Sequence, residues 1–184
     1  MNQPKRIYIT GGSGVGKTTV AKNLAGRLGI PFVELDPLMW TEEGTGVRAP
    51  EHERKQNISE LAAKPEWVAE GFYVGWAQEV WDAADTVILI DIPLRVMLWR
   101  VFWRHVKAEL RRNNRHPGWF KLWKFMKFIR TSFQSEEIGD LDNGSDEILT
   151  QAKIRAKVQQ HSHKALVFNK TPDIDLILER LNNS

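Results

Sequence analysis

The sequence predicts an α/β fold in which a parallel sheet is covered by helices on both faces. Three observations predict it. Short apolar runs alternate along the chain with segments of helical period. Those runs are continuously apolar, as strands buried on both faces require, and Thr86-Val87-Ile88-Leu89-Ile90 is the clearest of them. A glycine-rich turn follows the first run at once and opens a helix.

Arg6-Ile7-Tyr8-Ile9-Thr10 reads as a short buried strand. The helix after the turn runs over 17–28, with Val20, Leu24 and Leu28 four residues apart and Gly29 as its stop. Pro31-Phe32-Val33-Glu34-Leu35 reads as a second strand that ends at Asp36. The stretch 41–49 holds Gly44 and Gly46 and reads as a loop; Pro50 suits the first turn of a helix over 50–63. Trp67-Val68-Ala69-Glu70 is a third strand closed by Gly71, 86–90 the fourth and Ala165-Leu166-Val167-Phe168 the fifth. A last helix fits 173–181, where Ile174, Ile177, Leu178 and Leu181 share a face. Ligands of such sheets bind at the carboxyl ends of the strands, which carry Thr10, Asp36, Glu70 and Asp91. The polar run 139–144 reads as a mobile loop. With 184 residues and no linker, one domain over 1–184 is expected.

Composition excludes several classes. The chain is 42% hydrophobic and 27% charged, too rich in Trp and Phe for disorder. No apolar run approaches the ~20 residues of a membrane span. The segment 1–6 leads straight into a strand, with no secretory apolar core. Without cysteine there is no disulfide, thiolate nucleophile or Cys-ligated zinc, which fits a cytoplasmic enzyme. The net charge of +3 hides an asymmetry: residues 95–130 carry eleven Lys or Arg against Glu109, a balance of +10, so the rest carries −7. The basic segment expects an anionic partner, whether phosphate, nucleic acid or a membrane surface.

Gly11, Gly12, Ser13, Gly14, Val15, Gly16, Lys17 and Thr18 satisfy G-x-x-x-x-G-K-[ST], and Thr19 follows. Glycines let the backbone fold around a phosphate and aim successive N–H groups inward. The helix opening at Lys17 turns its positive dipole end to the same anion. Lys17 can reach the β- and γ-phosphates, and the Thr18 hydroxyl can ligate Mg²⁺. Chance yields this pattern in on the order of one chain in a hundred of such length. Its place between a strand and a helix marks a nucleoside-triphosphate site.

The succession of that turn, the "GIPFVELD" strand, the strand ending "AEGFY" and "ADTVILIDIPLRVMLWR" resembles the P-loop kinase fold of adenylate, shikimate and gluconate kinases. Within that group it is most similar to the small adenylate-kinase-related proteins labelled topology modulation proteins. The resemblance covers 5–104 well and the last twenty residues loosely. It implies a P-loop NTPase three-layer sandwich, with a five-stranded parallel sheet in the order 2-3-1-4-5 and a helical lid insertion at about 95–145. It also implies ATP and Mg²⁺. By the same resemblance Glu70 sits beside the phosphate loop and holds Mg²⁺, and Asp36 orients an acceptor hydroxyl and takes its proton. Trp40 and Arg48 fall in the acceptor region. Adenylate kinases follow the third-strand acid with "GFPR"; here Val74 follows Tyr73, so the arginine that holds an acceptor phosphate is absent. That favours a neutral or cationic acceptor.

In the basic segment, Arg100, Arg104, Lys107 and Arg111 share one helical face beside a stripe of Trp99, Phe102, Trp103, Val106 and Leu110. In the resembling kinases this helix enters a lid whose arginines stabilise the transferring phosphoryl, which marks Arg100, Arg104, Arg112 and Arg115. A second amphipathic helix is spaced by Trp119, Leu122, Trp123, Met126, Ile129 and Phe133. It reads as lid core, with a homodimer contact, a membrane-surface helix and a nucleic-acid groove as alternatives. Asn169-Lys170-Thr171-Pro172-Asp173 misses the guanine-reading N-K-x-D by one residue, and His161 and His163 read as surface histidines. The expected function is transfer of the γ-phosphoryl of ATP to a small-molecule hydroxyl. The alternatives are a nucleic-acid-associated NTP-binding protein and an ATPase that switches a protein partner.

Overall fold

The computed structural model describes residues 4–41, 47–110, 118–141 and 150–182. Five strands form one sheet: β1 (Arg6–Thr10), β2 (Phe32–Glu34), β3 (Trp67–Glu70), β4 (Thr86–Ile90) and β5 (Ala165–Phe168). All pair in parallel, in the order β2-β3-β1-β4-β5. This is the sheet order of the P-loop kinase fold. The helices are α1 (Lys17–Leu28), α2 (Asp36–Met39), α3 (Glu51–Ala62), α4 (Gln78–Ala83), α5 (Leu94–Leu110), α6 (Trp119–Gln134), α7 (Gln151–Gln160) and α8 (Ile174–Asn182).

Alternation along the strands divides the core in two. Ile7 and Ile9 face one side with Ile88 and Ile90, packed by Val20 and Leu24 of α1, Met97 of α5, Leu122 and Ile129 of α6 and Ile177 of α8. Tyr8, Val87 and Leu89 face the other, packed by Ile58 of α3, Trp81 of α4 and Ile154 and Val158 of α7. On that second side Trp81 Nε1 and Tyr8 Oη both donate to the Tyr73 carbonyl, at 2.9 and 3.2 Å. Helices α5 and α6 pack on the first core cluster, so these two helices lie against the sheet and α1.

Several sequence expectations are corrected. β2 ends at Glu34, and Asp36 opens the short α2 instead of closing the strand; Pro37, with φ fixed for a helical first turn, starts that turn. Helices α4 and α7 were not expected. Each offers few apolar positions, and Thr150 caps α7 by accepting from the Lys153 N–H at 3.0 Å. His161 is not a surface residue: it is 8% exposed, with Nδ1 at 3.1 Å from the Lys157 carbonyl and Nε2 at 3.3 Å from Asp82 Oδ1. His163 is exposed, as expected. Gly44, Gly46, Arg111, Arg112 and Arg115 lie outside the described residues, as does the half of the expected loop from 142 to 144.

Candidate phosphate-binding site

The register that pairs Ile9 with Glu70 and Thr10 with Leu89 brings the carboxyl ends of β1, β3 and β4 to one edge of the sheet. The turn 11–16 sits there. Gly11, Gly14 and Gly16 have φ of 144°, 81° and 98°, and Gly16 caps the N-terminus of α1. A side chain at Gly11 would place its Cβ 2.4 Å from the Ile90 carbonyl oxygen, and one at Gly14 would meet Val101 Cγ2 at 2.8 Å. The turn is therefore a backbone cradle that only glycine permits at these positions.

Neighbouring elements hold the outer side of the cradle. Arg100 of α5 donates from one Nη to the Val15 carbonyl at 3.0 Å and to Thr171 Oγ1 at 2.6 Å. Thr171 Oγ1 also donates to the Val15 carbonyl, at 3.0 Å. On the other flank, the place a Cβ of Gly12 would take lies 2.5 Å from Met97 Cε and 3.0 Å from Gln151 Oε1. Gln151 is in turn fixed by donating to Asp91 Oδ1 at 2.9 Å, and Arg155 grips both oxygens of Asp91 at 2.8 and 3.0 Å. Sequence reasoning missed Met97, Gln151 and Thr171. From sequence, the Asn169–Asp173 segment is discounted as a guanine-reading motif and placed after the last strand, without a part for Thr171; nothing local points to the other two.

Lys17 is 9% exposed, and its Nζ folds back to the Gly12 carbonyl at 3.1 Å, 5.8 Å from the Phe72 ring centroid. Burial pulls its ammonium below the ordinary 10.5; Glu70 and Asp36 oppose the shift and Arg104 adds to it. Glu70 is 7% exposed and accepts from the Thr18 hydroxyl at 2.7 Å. Burial pushes its carboxyl above 4.5, against the pull of Lys17 and Thr18, and Asp36 and Glu34 add to the rise. Cation and acid are thus both short of solvation. A phosphate chain relieves the first, and a cation beside Glu70 relieves the second.

Of the residues expected from sequence, the structure gathers 11–18 with Glu70, and Asp36 and Arg104 are close enough to act on the Lys17 charge. Arg100 meets the loop from behind, through the Val15 carbonyl. Trp40 and Arg48 are joined to each other by an antiparallel bridge, with Ala49 N–H donating to the Met39 carbonyl at 2.9 Å. Arg54 donates to the Ala49 carbonyl beside that bridge at 3.0 Å. Where adenylate kinases place an arginine, Val74 is fully buried. A small cavity opens on Gly12 and Ser13, lined also by Phe72, Met97, Gln151 and, from α6, Ile129 and Phe133. Among the described residues no group of three or more His, Asp or Glu is gathered for a metal. A cation here would take the Thr18 and Glu70 oxygens and complete its shell with phosphate and water.

Known proteins share this fold. The shikimate kinase of Acinetobacter baumannii, solved with shikimate, superposes with a TM-score of 0.53 at 19% identity, over 97% of this chain and 92% of that one. A gluconokinase of Sinorhizobium meliloti 1021 gives 0.51 at 14% identity, over 98% and 91%. These likenesses show the fold. In sequence, Uncharacterized protein YqaC of Bacillus subtilis (strain 168) is 30% identical over 97 residues, which is 53% of this chain and 54% of that protein. The chain thus spans about half the length of that relative. The family model AAA_28, described as an AAA domain, matches residues 6–116, which hold the phosphate loop, β1 to β4 and all of α5. With a glycine cradle, a buried lysine and a threonine–acid pair on a 2-3-1-4-5 sheet, the chain belongs to that AAA domain family and carries the P-loop kinase-like fold.

Proposed function

We propose that this protein is a cytoplasmic, Mg²⁺-dependent kinase that transfers the γ-phosphoryl of ATP to a hydroxyl of a small, non-phosphorylated acceptor. One observation carries the reading: the glycine cradle, Lys17 and the Thr18–Glu70 pair at 2.7 Å lie together at one sheet edge, with Asp36 close enough to act on both Lys17 and Glu70.

The backbone amides of the cradle and the N-terminus of α1 bind the phosphate chain. Lys17 leaves the Gly12 carbonyl and neutralises charge on the transferred group. Thr18 and Glu70 fit Mg²⁺, which supplies charge neutralisation across the phosphates when bound. Asp36 orients the acceptor hydroxyl and takes its proton. Arg100 keeps the Val15 carbonyl turned outward, so that the neighbouring amides stay directed into the cradle. Arg104 supplies positive charge from α5, the part the resemblance also gives to Arg112 and Arg115.

The acceptor class follows from what the acceptor side lacks. Val74 is in the core, Arg54 is engaged by the Ala49 carbonyl, and the Asp36 carboxylate repels a second phosphate. The test is an ATP-consumption screen over nucleosides, sugars, polyols and amino alcohols, with Lys17→Ala as the control. A phosphorylated product that disappears with the control supports the reading. Failure of every acceptor, with hydrolysis stimulated by DNA, replaces it by a nucleic-acid-associated ATPase.

A further inference from the structure

Among the described residues, eleven large hydrophobic side chains are exposed, and eight of them lie on α5 and α6. Monomeric surfaces scatter such residues singly; a concentration marks an interaction site. The rings form two clusters. Trp99 meets Trp103 at 6.2 Å between centroids, Trp103 meets Phe102 at 5.8 Å, Phe102 meets Trp119 at 6.4 Å, and Phe120 stacks on Trp123 at 6.2 Å. Trp99, Trp119, Phe120 and Trp123 keep 58–66% of their surface in water.

The charge around the rings is of one sign. Lys121, Lys124, Lys127 and Arg130 are all exposed on α6. Glu109, which alone among residues 95–130 is acidic, is engaged: its carboxylate accepts from the Gly118 N–H at 3.1 Å and lies 3.4 Å from His105 Nε2. We infer that the outer face of α5 and α6 docks on the surface of an anionic phospholipid bilayer, with Trp and Phe rings at the headgroup level and the α6 lysines on lipid phosphates. This is the division of an interfacial amphipathic helix, with aromatic rings on one face and Lys/Arg beside them. Among the described residues no helix is long and apolar enough to cross a membrane, and the proposed contact is peripheral.

Two other occupants fit less well. A nucleic acid stacks its bases on free ring faces. Here Lys124 Nζ lies over the Phe120 ring at 4.6 Å and Lys127 Nζ over the Trp123 ring at 5.6 Å. A second copy would bring the same basic patch against itself across a two-fold axis, like charge on like.

The test is co-sedimentation of the full chain with phosphatidylcholine–phosphatidylserine vesicles and with phosphatidylcholine alone. Expected is binding to the mixed vesicles, with a blue shift of tryptophan emission, and little to the neutral ones. The variant Lys121→Gln/Lys124→Gln/Lys127→Gln is expected to weaken binding on the order of a hundredfold, and Trp119→Ser/Trp123→Ser to abolish it. Far-UV circular dichroism and Tm of both variants are compared with the parent, since these side chains are exposed and their loss leaves the fold intact. No binding, or equal binding to both vesicles, overturns the inference. So does binding of a single-stranded oligonucleotide, or a dimer, that the same variants abolish while vesicles are ignored. None of these outcomes depends on the kinase reading.

Discussion

Around the phosphate loop, side chains and carbonyls from α5, α7, β4 and the turn at Thr171 close on a few backbone atoms, whereas along the outside of α5 and α6 the rings lean on one another and on lysines. The same helix supplies both: Met97, Arg100 and Val101 of α5 face the loop, and Trp99, Phe102 and Trp103 face water. The first arrangement is complete without a partner except for the charges of Lys17 and Glu70, which burial leaves poorly solvated. The second leaves apolar area in water that a folded monomer has no use for. What is unsatisfied in each region points to its ligand: anion and cation in one, a wet apolar face with phosphates in the other.

The contrast can be broken at either end. The largest effect belongs to Lys17→Ala, expected to lower transfer by about a hundredfold or more; turnover within threefold of the parent would remove Lys17 from the chemistry. Gly11→Ala is expected to cost about 2–4 kcal/mol of stability, because a strained φ and the Ile90 carbonyl at 2.4 Å act together. Denaturant unfolding measures it, and a cost under about 0.5 kcal/mol would mean that the cradle yields easily.

Arg100→Ala is expected to cost about 2 kcal/mol, since it removes charged hydrogen bonds to Val15 and Thr171. A double-mutant cycle with Thr171→Val should show the two losses to be coupled; additive losses would separate Thr171 from the clamp.

Glu70→Gln sharpens the comparison through pH. The folded-state pKa of Glu70 is raised above 4.5, so its stabilising contribution is full below the unfolded value and lost as pH rises through the folded one. Without nucleotide, the variant is therefore expected to have a higher Tm than the parent at pH 7, and the two to converge in acid. Mg²⁺-dependent ATP binding should weaken in the same variant. A lower Tm at pH 7 would contradict the desolvated carboxyl. The smallest effect is expected for Trp119→Ser, within about 0.5 kcal/mol of the parent. A loss above 2 kcal/mol would make the ring cluster a structural one.

The cradle was legible because its information is local: eight consecutive residues dictate a turn, a donor array and a helix start. Strands β1, β3, β4 and β5 were legible for a similar reason, since continuous apolar runs have few other uses. Helices α4 and α7 were not, because each offers few apolar positions at helical spacing and owes its place to the second core cluster. His161 was misread because its burial depends on Asp82 and Trp81, 79 and 80 positions away. In the site, Lys17, Thr18 and Glu70 could be named from the sequence, whereas Gln151 and Thr171 could not. Each reaches the loop from more than a hundred residues away.

The sequence by itself determined the phosphate loop, the strands and the charge imbalance of residues 95–130, since short-range sterics, hydrophobic period and composition act without knowledge of the fold. Only the tertiary structure decided that Glu70 meets Thr18, that Arg100 turns inward onto Val15, and that neighbouring tryptophans of the same helix turn outward. Those outcomes depend on which element packs beside which, and a helix has two faces whose fates are set by neighbours distant in the chain.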